Sequence, residues 1–197
     1  MSISKTNRRL AVTAVLSTTL AFPAMAGPFD EISRADDVAL AAYQSIYIAP
    51  VQVDLPTDTR KTVRDIRSPR PVNERDQGLR AERLHRDLTR AFEKKFTLAD
   101  APGDDVLTVE ATLTGLRSTR PTLADFQTEV QLDFGSIYAG GADYAVRLSE
   151  AETTLVEIEE RDRSNLNDGR LRVGVWQDAD RSSRLFSSQL ARYVKNN

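Results

Sequence analysis

Gln44-Ser-Ile-Tyr-Ile-Ala-Pro-Val-Gln-Val53 is the stretch on which the architecture turns. In an extended chain Ile46 and Ile48 fall on one face, and Tyr47, Ala49, Val51 and Val53 on the other. A strand that is apolar on both faces is expected to be covered on both, which places it centrally in its sheet. Pro50 has no N–H to give to a ladder, so a bulge or a break is expected there.

Working outward, Asp54 to Glu74 is polar, carries Pro56, Pro69 and Pro71, and shows no periodicity. It reads as a long loop, a kind of segment that is usually functional or mobile. From Asp76 to about Phe96 the pattern becomes helical: Leu84, Leu88, Ala91 and Phe92 form one stripe, continued by Phe96, with Arg83, Arg86, Arg90 and Glu93 largely outside it. Ala101-Pro-Gly-Asp-Asp105 makes a turn. Val106 to Leu116 then alternates, with Leu107, Val109, Ala111 and Leu113 inward and Thr108, Glu110, Thr112 and Thr114 outward. Strand, helix and strand in this order predict a βαβ crossover that pairs the two strands in parallel. Further on, Gln127–Phe134 is a candidate strand. Ala142–Ser149 and Thr154–Glu160 predict a hairpin with Tyr144, Val146 and Leu148 on the same side as Val156 and Ile158. Asn167-Asp-Gly169 is a turn signal. Asp178 is expected to cap a last helix whose Phe186, Leu190 and Tyr193 face the core, with Trp176 under its first turn. On the other side of the opening stretch, Gly27 to Ala42 reads as a lead-in with a helical turn around Asp36–Ala42. The sum is an α+β fold, a mixed, mostly antiparallel sheet with two helices packed on one face.

The first residues carry an address. Lys5, Arg8 and Arg9 precede an apolar stretch from Leu10 to Phe22, and Ala24-Met25-Ala26 offers small residues to a leader peptidase. This three-part pattern predicts residues 1–26 as a cleavable signal peptide, and residues 27–197 as a single α/β domain. The stretch is shorter than the roughly twenty apolar residues of a membrane span, which argues against an uncleaved anchor and leaves no transmembrane segment after cleavage. Residues 1–26 hold three basic residues and no acid, so the formal charge of −2 becomes −5 without them. An acidic chain is a poor default partner for nucleic acid. Cysteine is absent, which excludes disulfides, thiolate metal sites and cysteine nucleophiles. The expected location is periplasmic or secreted.

Tyr43 to Val53, the arginine-rich helix, the Pro102-Gly-Asp-Asp-Val-Leu107 run, the threonine-studded strand after it, and Trp176-Gln-Asp-Ala179 with the closing helix resemble the bacterial envelope family Domain of Unknown Function 3313. The resemblance spans roughly Ala42 to Val194. It implies an exported α/β domain of unassigned activity, similar to small envelope lipoproteins that act as accessory parts of larger machinery. Two features depart from the family pattern. Gly27 stands where a lipid-anchored member has a cysteine, and Glu150-Ala-Glu-Thr-Thr154 replaces an Asp/Ser-Thr-Gly turn.

Chemistry-bearing residues are sparse. His85, the one histidine, sits on the arginine-rich helix, with Glu82 and Asp87 as the nearest carboxylates in sequence that could orient it. Asp104 with Asp105, and Glu157 with Glu159, are candidate carboxylate pairs for acid–base work. The first pair suits a turn, and the second the solvent face of a strand. Asn165-Leu-Asn167-Asp-Gly169 begins a calcium-loop rhythm, but Arg170 and Arg172 follow it. Gly140-Gly141 is too short for a phosphate loop. No metal or cofactor is therefore expected. The strongest partner-binding candidates are Arg60, Lys61, Arg64, Arg67 and Arg70, five cations against Asp65 alone. Guanidinium forks of this kind bind phosphates, carboxylates and acidic surfaces. The expected function is a non-catalytic envelope module that binds or supports an envelope protein or an anionic lipid. A carrier of lipid or another amphiphile, and a carboxylate-dependent hydrolase, are the alternatives.

Overall fold

The computed structural model describes residues 28–55, 72–119, 140–162 and 174–197. The chain runs through β1 (Glu31–Arg34), a 3-10 turn at Leu40–Ala42, β2 (Ser45–Ile48), β3 (Gln52–Val53), α1 (Glu74–Glu93), β4 (Thr97–Leu98), β5 (Val106–Arg117), β6 (Gly141–Glu150), β7 (Thr153–Arg161) and α2 (Gln177–Asn196). The strands form one mixed sheet in the order β1-β7-β6-β5-β2-β4, with β3 also paired to β5. β2 and β3 run parallel to β5 on either side of the break at Pro50, as the βαβ reading requires. β5, β6, β7 and β1 are antiparallel neighbours. The α+β architecture with two helices over one sheet face is thus the observed one.

One core joins helices and sheet. Leu84, Leu88 and Phe92 from α1 and Phe186, Leu190 and Val194 from α2 meet Leu107, Val109, Leu113, Val146, Leu148 and Ile158 from the strands. The alternation read in β5 is the observed one on its inward side, and Val146 and Leu148 sit opposite Ile158 and Val156 across the hairpin. That hairpin turns through Ala151, whose φ of 48° is in the left-handed region. Thr108, expected outward, is nevertheless buried.

The position of β2 corrects the first expectation. It is next to last in the sheet, flanked on its outer side by the two-residue β4. Ile46 and Ile48 are buried, while Tyr47, Ala49 and Val51 are only half-buried and Val53 is exposed. Apolar residues on both faces therefore mark a strand with one packed face and one partly wet face. β1 and β4 are further differences: the first lies in the supposed lead-in, and the second follows α1, which ends at Glu93 rather than near Phe96. Asp178 does not cap α2. Trp176 occupies the N-cap without a side-chain bond, and Asp178 instead accepts from the Thr119 hydroxyl at 2.9 Å and the Gly140 N–H at 3.2 Å. The candidate strand Gln127–Phe134, the turn at Asn167–Gly169 and the signal peptide lie outside the described residues.

Candidate functional site

The two helices run parallel. The Trp176 indole N–H donates to Asp76 at 3.3 Å, Arg80 pairs with Asp180, Ser183 donates to Asp87 at 3.0 Å, and Lys195 lies 5.4 Å over the Phe96 ring. Both helix N-termini consequently sit at one end of the molecule, and their partial positive charges add there. Asn73 caps α1 by accepting from the Asp76 N–H at 2.8 Å, and Glu74 and Asp76 occupy its first turn, as that dipole favours. The chain also leaves the described fold at Leu55, Thr119 and Asp162 and re-enters at Val72, Gly140 and Gly174, all at this end.

Between the first turns of the helices lies an open hollow of about 400 Å³, lined by Arg80, Arg83, Trp176, Gln177, Asp180 and Arg184 among others. Each arginine is fixed differently. Arg83 uses its Nε on the buried Asp87 carboxylate at 3.0 Å, and that hydrogen bond holds its guanidinium above the ordinary arginine range. Arg184 uses its Nε on the Asp180 carbonyl at 3.3 Å. Arg80 pairs with the Asp180 carboxylate, and its own Nε is buried with no hydrogen-bond partner among the described residues. Among the described residues Arg83 and Arg184 thus make their hydrogen bonds through Nε and none through their terminal N–H groups.

The candidates from sequence are dispersed. Arg60, Lys61, Arg64, Arg67 and Arg70 lie outside the described residues, in the segment that leads into α1. His85 places Nδ1 3.2 Å from the Ala49 carbonyl. A carbonyl only accepts, so Nδ1 carries the proton. The residue after Ala49 is Pro50, where the ladder to β5 is interrupted between β2 and β3. The histidine therefore fastens α1 to that break, and Asp87 serves Arg83 and Ser183 rather than the imidazole. Glu157 and Glu159 are exposed, as read from the alternation. Asp105 takes a φ of 58° in its turn, and its N–H donates to Glu150. Glu150 also accepts from the Tyr43 hydroxyl at 2.7 Å; burial, then that carboxylate, push the phenol up to about 12.

A second cluster is structural. Arg117 grips Asp143 through both terminal nitrogens, at 2.6 and 2.8 Å, and reaches the Asp162 carbonyl at 2.8 Å. Among the described residues no group of histidine, aspartate and glutamate could hold a metal ion, and no helix is long and apolar enough to cross a membrane.

The hollow was not legible in the sequence, because its cations come from two helices a hundred residues apart. The helical spacing of Arg80 and Arg83, with Arg184 one turn after Asp180, is a signal only once the helices are known to be parallel.

No curated protein matches the chain. A solved structure described as the crystal structure of an uncharacterized protein is similar at 12% identity with a TM-score of 0.29, over 78% of this chain and 91% of that one. The family model described as protein of unknown function (DUF3313) matches residues 30–162, which hold all the described strands and the whole of α1 but not α2, and the chain belongs to that family.

Proposed function

We propose that the protein is an exported, non-catalytic envelope module that binds an acidic partner through the end where both helices begin. The observation that carries this reading is the hollow in which Arg80, Arg83 and Arg184 surround Trp176. The stretch with Arg60, Lys61, Arg64, Arg67 and Arg70 precedes α1 in sequence, and its cationic character supports the same reading of an acidic partner. The leader pattern of residues 1–26 supports export to the periplasm or beyond. The space between helices and sheet is filled by Leu84, Leu88, Phe92, Phe186 and Leu190, which favours a surface module over a carrier of enclosed lipid.

Replacing Arg64, Arg67 and Arg70 together by Ser is expected to lower capture of envelope partners several-fold, with the melting temperature unchanged. Capture at the wild-type level by that triple variant would remove the stretch from the contact region.

A further inference from the structure

We infer that the hollow between the first turns of α1 and α2 takes one carboxylate of an acidic peptide segment on a partner protein, gripped by the terminal nitrogens of Arg83 and Arg184. The inference rests on the reading of the chain as a binding module and assigns that module a ligand.

Three observations combine. Arg83 and Arg184 are both anchored at Nε, on Asp87 and on the Asp180 carbonyl, which orders each guanidinium while its two outer nitrogens make no hydrogen bond among the described residues. A guanidinium held in this way loses little further freedom when it meets a planar oxyanion. The charges also match a monoanion: three guanidiniums are set against Asp180 and, behind Arg83, Asp87. Asp76 lies against the positive end of α1, where the helix dipole accommodates it. Finally, the indole N–H of Trp176 is engaged by Asp76, so what the ring offers the hollow is its apolar surface. A carboxylate flanked by an aliphatic side chain satisfies both walls, and about 400 Å³ accommodates a few residues of an extended peptide.

Trp176 is the single tryptophan of the chain, so its fluorescence reports on the hollow alone. The purified protein is titrated with Ac-Leu-Glu-Leu-NH2 and with Ac-Leu-Gln-Leu-NH2, and separately with inorganic phosphate and with vesicles of phosphatidylcholine and phosphatidylglycerol at seven to three. The expected result is a saturable change with the glutamate peptide that weakens as salt is added. It should be about tenfold weaker for the glutamine peptide and for the Arg184→Gln variant, whose side chain is exposed and whose loss leaves the core untouched. Equal responses to the two peptides, or an unchanged titration in Arg184→Gln, overturn the assignment. So does saturation by phosphate or vesicles with none by the glutamate peptide. Partner capture by the Arg64, Arg67 and Arg70 variant is measured in parallel. If that capture is lost while the peptide titration fails, the module reading stands and only its ligand is wrong.

Discussion

Phe186 and Leu185 are adjacent on α2, and truncating each to Ala separates packing from helix propensity. Phe186 is 3% exposed, stacks on Tyr144 with ring centroids 4.5 Å apart and 19° between planes, and meets Phe29 edge-on at 5.8 Å. Leu185 is 57% exposed. Phe186→Ala removes a buried ring and leaves a cavity between α2 and β6, a change that costs about 3–5 kcal/mol; the two ring contacts, worth roughly 1 kcal/mol each, fall within that sum. Against a total stability on the order of 5–15 kcal/mol the variant is left marginal. With a urea slope of about 2 kcal/mol/M, the unfolding midpoint should fall by roughly 2 M. Leu185→Ala should shift it by no more than about 0.3 M, since exposed substitutions stay within about 0.5 kcal/mol. Urea titrations followed by Trp176 fluorescence measure both. Equal shifts for the two variants would refute the placement of α2 on the sheet.

Two further outcomes follow from particular contacts. A Cβ on Gly115 would stand 2.1 Å from Asp143 Oδ2 and 2.9 Å from its Cβ, and Arg117 prevents that aspartate from swinging away. Gly115→Ala should therefore destabilise by about 1–3 kcal/mol, and a double-mutant cycle with Asp143→Ala should recover part of that loss in chemical denaturation; strict additivity would refute the clash. Tyr43 is an acid whose folded pKa is raised from 10.0 to about 12, so the stability it contributes is complete below pH 10 and is lost as pH rises to about 12. Melting temperatures across that window should fall less steeply in Tyr43→Phe than in the wild type.

What could be read from sequence, and what could not, divides along the range of the interaction. The stripe of Leu84, Leu88 and Phe92 and the alternation of Leu107, Val109, Ala111 and Leu113 are local patterns imposed by one buried face, and both reappear in the core. β1 escaped because Glu31-Ile-Ser-Arg34 carries one apolar residue and owes its strand state to pairing with Val156 to Glu159, more than 120 residues away in sequence. Asp178 looks like a cap by its place before an apolar run, yet its acceptors are occupied by Thr119 and Gly140, partners that only the tertiary fold brings near. The same holds for the arginines. Five cations between Arg60 and Arg70 are conspicuous because they are contiguous, whereas Arg80, Arg83 and Arg184 become a cluster only when two helices align.

The parallel alignment of the helices also sorts the two kinds of cation by position. Within residues 27–197 the lysines are Lys61, which lies outside the described residues, and Lys94, Lys95 and Lys195 at the C-terminal ends of α1 and α2. Along the helix axes those amines stand about 17 to 22 Å from the arginines of the mouth, at a rise of about 1.5 Å per residue. With Lys61 replaced by Arg, coupling to a solid support through the three remaining lysine amines turns the guanidiniums toward the solution, so a sensor surface made this way displays the mouth instead of masking it.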